Sequence, residues 1–132
     1  MGYKILGKFD PQSYVSKFDI SIAISHFANA WRASNPFQKF ECFYKVIEYI
    51  LKKGRYEKAE DYDERVSLYA VGFDSSFTKD VLMKLRQIRN RSVHPNQATH
   101  LSSGDLDAFY EVLSELKTIE RLAKLLIDNP PN

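Results

Sequence analysis

Leu85-Arg86-Gln87-Ile88-Arg89-Asn90-Arg91-Ser92-Val93-His94-Pro95 is the stretch on which the reading of this chain turns, because a helix runs into it and must stop inside it. Val81, Leu82, Leu85 and Ile88 recur at the three- and four-residue steps of a buried helix face. Arg89 continues that face, one turn beyond Leu85 and two beyond Leu82, so its stem is expected along apolar surface with the guanidinium at the rim. A helix shaped only for packing seldom carries a permanent charge there. Pro95 pushes the residue before it out of the helical region, so the helix is predicted to stop near Val93 and His94 to leave it. On an unbroken helix Arg89 and His94 would face directions roughly 140° apart. The break lets the imidazole fold back over the last turn, beside Arg89. Asn90 adds an amide, and Lys84, Arg86 and Arg91 add positive charge. Cations also suit a helix C-terminus on dipole grounds, so part of the cluster needs no function.

Outward from this stretch the chain reads as helix after helix. Asp10-Pro11 is a helix opening, a side-chain cap followed by proline at the first position, and the first helix is predicted to run to about Ala33. Phe18 and Ile22 on one side, with Ile20, Ile24, Phe27 and Trp31 on another, make it apolar over a wide arc, as in a helix buried centrally or meeting another subunit. His26 falls within the arc, where a hydrogen-bonded core or interface histidine is a simpler reading than a catalytic one. Asn35-Pro36-Phe37-Gln38 repeats the opening, with Gln38 placed to complete a capping box. The second helix then turns Phe40, Phe43, Tyr44, Ile47, Ile50 and Leu51 inward and is predicted to end at Gly54 in a left-handed stop. Its aromatic stripe keeps strict helical spacing, which suits a core better than a base-stacking platform.

Between Arg55 and Gly72, Tyr62, Val66, Tyr69 and Ala70 share one helical face amid Glu57, Lys58, Glu60, Asp61, Asp63, Glu64 and Arg65, which predicts a short exposed helix. These acids have no matching histidine or second carboxylate group, so they read as a solvated face and not as a metal site. Thr78 or Ser76 is expected to cap the motif helix, with Asp80 in its first turn. A polar loop carrying His100 follows Pro95, and Ser102 with Asp105 resembles a capping box that opens the last helix. Leu106, Phe109, Tyr110, Leu113, Leu116, Ala123 and Ile127 form its expected inner face, up to the stop at Asn129-Pro130-Pro131. Without strand-like alternation, repeats or a linker, the prediction is an all-α chain: an antiparallel four- to five-helix bundle forming a single domain over residues 1–132.

At 44% hydrophobic and 14% aromatic residues the composition is globular. Nineteen Lys and Arg against 17 Asp and Glu leave a net charge of only +2, so a general basic coat for nucleic acid is excluded and any RNA contact must be a local patch. Cys42 is the only cysteine, which rules out an intramolecular disulfide and a cysteine-rich zinc site and favours a reducing, cytoplasmic location. The start, Met1 to Lys8, lacks the apolar core of a signal peptide, and no apolar run approaches a membrane span. Gly2 satisfies part of a myristoylation signal, but Leu6 stands where Ser or Thr is needed.

Arg89-Asn90 followed by three residues and His94, at the end of a late helix in a small helical chain, resembles the signature of the HEPN superfamily: an arginine, four to six residues and a histidine, often with a polar residue after the arginine. The match covers this segment; helix count, chain length and the motif's place before a long final helix resemble the family more loosely. The resemblance implies a bundle of HEPN type. It also implies a metal-independent endoribonuclease in which two copies of the motif meet across a homodimer interface. Some members have lost catalysis and serve as binding or antitoxin modules.

The chemistry these groups can do on RNA is specific. His94, titrating near neutrality, can accept a proton from a ribose 2′-hydroxyl or give one to the departing 5′-oxygen. In a catalytic site Arg89 would hold the scissile phosphate and stabilise the added charge of its pentacoordinate transition state, and Asn90 would orient the phosphate or the histidine. Arg86, Arg91, Lys84 and His100 are the candidates for further substrate contacts. One histidine cannot be base and acid on opposite sides of phosphorus, so a second chain is expected to supply the missing group. The expected products are 2′,3′-cyclic phosphate and 5′-hydroxyl ends, with no metal or cofactor, possible settings being a toxin–antitoxin or defence system. Two alternatives stand beside this. A silent module would use Arg89 and His94 to hold a nucleotide, RNA or a protein such as a nucleotidyltransferase-like antitoxin. In a purely structural bundle, His94 would bond terminal carbonyls and Arg89 would pair with a carboxylate of the last helix.

Overall fold

The computed structural model describes residues 19–93 and 103–131, with side chains over 19–91 and 106–131. Among them are five helices and no strand, which makes the fold an all-α helical bundle: α1 (Ile20–Arg32), α2 (Pro36–Ile50), α3 (Ala59–Ala70), α4 (Lys79–Val93) and α5 (Ser103–Asp128). The expected opening at Asp10-Pro11, the loop from His94 through His100, and the Ser102–Asp105 capping pair lie outside the described residues or side chains.

Helix α2 organises the rest, packing against α1, α4 and α5. Its start follows the sequence closely. Pro36 occupies the first turn, and Asn35 Oδ1 accepts from the backbone of Phe37 at 2.7 Å and Gln38 at 3.4 Å, satisfying donors that have no partner within the helix. All six residues expected inward, Phe40, Phe43, Tyr44, Ile47, Ile50 and Leu51, are buried, joined by Val46. The stop differs from expectation. Leu51 caps the helix with φ −114°, and Gly54 lies beyond it outside the left-handed region, its N–H donating to Glu57 Oε1 at 2.8 Å. The Leu51 N–H donates to the Ile47 carbonyl, and the Leu51 carbonyl accepts from Tyr62 Oη, so the helix end is closed without a left-handed glycine.

Four further expectations are corrected in whole or in part. No single helix runs from Asp10 to Ala33, because Asp19 is extended and caps α1, its Oδ1 accepting from Ser21 N at 3.0 Å and Ser21 Oγ at 2.7 Å. Of the two readings of α1, central burial is corrected: it buries Ala23 and Ala30 and leaves Ile20, Ile22, Ile24 and Trp31 exposed in the single chain. His26 is half-buried, edge-on to Tyr49. Helix α3, expected as exposed, buries Tyr62, Asp63, Val66, Ser67 and Ala70. Hydrogen bonds from buried hydroxyls seat it, with Tyr62 Oη donating to the Leu51 carbonyl and Ser67 Oγ to the Phe77 carbonyl at 2.7 Å. Helix α5 keeps part of its expected inner face, with Ala123 buried and Leu116 and Ile127 packed against the core, but Val112, Ile119, Leu122 and Leu126 complete it, and Leu106, Tyr110 and Leu113 are exposed. A helix apolar on more than one side does not declare which stripe its neighbours cover.

Helix α4 matches its pattern. Thr78 Oγ1 accepts from Val81 N at 3.4 Å at its start, and Leu82, Leu85 and Ile88 are buried against the bundle. Packed on α2, α3 and α5, α4 carries the motif's first half into the bundle wall.

Candidate functional site

The final two turns of α4 border a cleft with a volume of about 180 Å³, lined by Tyr44 and Glu48 of α2, Lys53 of the connection after α2, Ala59 and Tyr62 of α3, and Arg86, Arg89 and Asn90 of α4. Three of the residues singled out in the sequence therefore share one concavity. They do so because positions 86, 89 and 90 fall at three- and four-residue steps on one side of the helix.

Arg89 lies as its place on the apolar stripe predicts. Its side chain is one-quarter exposed, and the guanidinium carbon stands 4.9 Å from the centroid of the Tyr44 ring. Tyr44 is buried, so the ring is a fixed platform whose negative face attracts the cation. Nη2 of Arg89 donates to Glu48 Oε2 at 3.0 Å. The structural alternative expected such a carboxylate on the last helix; it comes from α2. Burial pushes the Tyr44 and Tyr62 phenols well above their ordinary range, so neither is an acid or base near neutrality.

Arg86 is held from below. Its Nε donates to Asp63 Oδ2 at 2.8 Å, and the Asp63 carboxylate is fully buried. Asp63 Oδ1 has no hydrogen-bond partner, and burial raises its pKa above the usual carboxylate value against the opposing pull of Arg86. Asp63, expected on the solvated face with Glu60, Asp61 and Glu64, is instead fully buried beneath Arg86. The other two basic candidates point away from the cleft. Lys84 Nζ bonds Glu115 Oε2 at 3.0 Å, and Arg91 pairs with Glu111, both acids on α5. Every basic side chain from Lys84 to Arg91 therefore meets a carboxylate of another helix. His94 and His100 lie outside the described residues.

The residues that sequence reasoning missed are the acids: Glu48, Asp63, Glu111 and Glu115. Two carried a signal. Glu48 sits four residues after Tyr44 beside the buried stripe, and Asp63 shares helical spacing with Val66, Ser67 and Ala70. An acid on an apolar stripe points to a buried partner for the same reason as Arg89 on its own. Among the described residues no group of three or more His, Cys, Asp or Glu could hold a metal ion, and no helix is long and apolar enough to cross a membrane.

No protein-family model, curated protein or solved structure matches this chain. The cleft's own chemistry is what remains: Lys53, Arg86 and Arg89 against Glu48, with an amide at the rim. Such a set can hold a phosphate through forked donors, and Asn90 can orient it.

Proposed function

We propose that this chain is a metal-independent endoribonuclease, with Arg89 holding the scissile phosphate, Asn90 orienting it, and His94 moving the proton. Attack by the 2′-hydroxyl would leave 2′,3′-cyclic phosphate and 5′-hydroxyl ends. The observation that carries the reading is the shared cleft of Arg86, Arg89 and Asn90 at the end of α4, four residues before His94 in the chain. Arg91 and Lys84, tied to α5, stand as contacts for flanking phosphates and not for the reacting one. A homodimer supplies the second imidazole. The exposed apolar residues Leu106, Tyr110 and Leu113 of α5 offer surface that such a pairing would bury.

The test is cleavage of single-stranded RNA in EDTA by the wild-type chain, His94→Ala and Arg89→Ala. Cleavage by wild type alone, with cyclic phosphate ends and an uncleaved DNA control, is the expected result. Cleavage that persists in His94→Ala, or that requires added metal, refutes the reading. The Arg89–Glu48 ion pair favours one second reading, a catalytically silent module that binds a nucleotide, RNA or a protein partner. Binding lost in Arg89→Ala but kept in His94→Ala, with no cleavage by any variant, would establish it.

A further inference from the structure

Arg86 and Arg89 stand one turn apart on α4 and line the same cleft, but they are held in different ways. Arg86 is tied to Asp63, which is fully buried. Taking a cation from a buried carboxylate strands a charge where water cannot reach it, so this pair does not open in exchange for a ligand. Arg89 is tied to Glu48, whose side chain is 38% exposed. Water and salt solvate that carboxylate nearly as well as the arginine does, so the pair has little net strength and can exchange. The Arg89 guanidinium also rests on the buried Tyr44 ring, 4.9 Å away, a support that does not depend on Glu48.

A carboxylate and a phosphate present similar oxygen pairs to a guanidinium fork. We propose that the cleft between α2, α3 and α4 is a phosphate-exchange site. Glu48 occupies Arg89 in the resting protein, and a phosphate group of RNA takes its place, while Arg86, anchored on Asp63, stays as the second positive charge. This rests on the reading of Arg89 as the cation that holds the substrate phosphate. The size of the cleft agrees. About 180 Å³ is less than the roughly 300–1,000 Å³ of pockets for drug-sized ligands. It suits one phosphate with part of its sugar, the strand running across the mouth. Lys53 adds charge at the loop side, and Tyr62 closes the floor.

Glu48 then acts as a built-in competitor, lowering apparent affinity by the fraction of molecules in which it covers Arg89. Titration with inorganic phosphate, and with a short 2′-O-methyl RNA that cannot be cleaved, tests this in the 132-residue chain. Glu48→Gln is expected to bind both about fivefold more tightly, the upper range for releasing an exposed ion pair. Asp128→Asn, which frees Lys124 at the end of α5 and not at the cleft, is expected to leave phosphate affinity unchanged, and Arg89→Ala to abolish it. Unchanged or weaker binding by Glu48→Gln, or no phosphate binding by any variant, overturns the proposal. Should Glu48→Gln melt far below wild type, Glu48→Ala, which also removes the carboxylate, must show the same tightening. The two readings fail separately. Tightening without RNA cleavage by wild type removes the nuclease and keeps the exchange site; cleavage without tightening removes only the exchange.

Discussion

Removing either partner of the Asp63–Arg86 pair is expected to destabilise the chain, and by unequal amounts. Asp63 is fully buried, whereas the Arg86 side chain keeps 19% of its surface and borders the cleft. Deleting one member of a buried pair costs about 3–5 kcal/mol, because the other is left charged without a partner. Arg86→Met leaves the carboxylate stranded in the core, with its Oδ1 already unpartnered, and belongs at the upper end, about 5 kcal/mol. Asp63→Ala leaves an arginine that water in the cleft can solvate, and belongs at the lower end, about 3 kcal/mol. For a chain between the small and medium size classes, 1 kcal/mol moves Tm by about 3–5 °C, so the two variants should melt about 15–25 °C and about 9–15 °C below wild type. The double variant should cost less than the sum, since no charge is stranded in it. Thermal melts at neutral pH, supported by urea midpoints, give all three values. Equal losses, the reverse order, or a loss under about 1 kcal/mol in Arg86→Met would show that the pair is not desolvated as its burial implies.

Acid stability offers a second check. Hydrogen bonds from Arg65 and the Gly54 N–H pull the Glu57 carboxyl from 4.5 to about 2. Its contribution is therefore complete above pH 4.5 and lost as pH falls towards about 2, so Glu57→Gln should flatten the fall in Tm across that window and leave the region above pH 6 parallel to wild type. An unaltered acid limb would refute this. Tyr62→Phe should cost about 1–3 kcal/mol by denaturant unfolding, because it leaves the buried Leu51 carbonyl without its donor. A neutral result would mean that water reaches the end of α2. On the apolar side, Leu85→Ala should cost about 2–5 kcal/mol, as Leu85 is fully buried between helices.

The helical class, the start of α2, its six inward residues and the buried stripe of α4 are settled by the sequence alone. Caps and periodic apolar spacing act over a few residues, and Asn35-Pro36 or Leu82, Leu85 and Ile88 state their conformation without reference to distant partners. The proximity of Arg86, Arg89 and Asn90 was legible for the same reason, since one helix face holds all three. What the acids do was decided only in three dimensions. Glu48 meets Arg89 across 41 positions of chain, and Asp63 meets Arg86 across 23. Whether an acid is solvated or buried depends on which helix lies over it, and helices apolar on two sides, such as α1 and α5, leave that choice to packing.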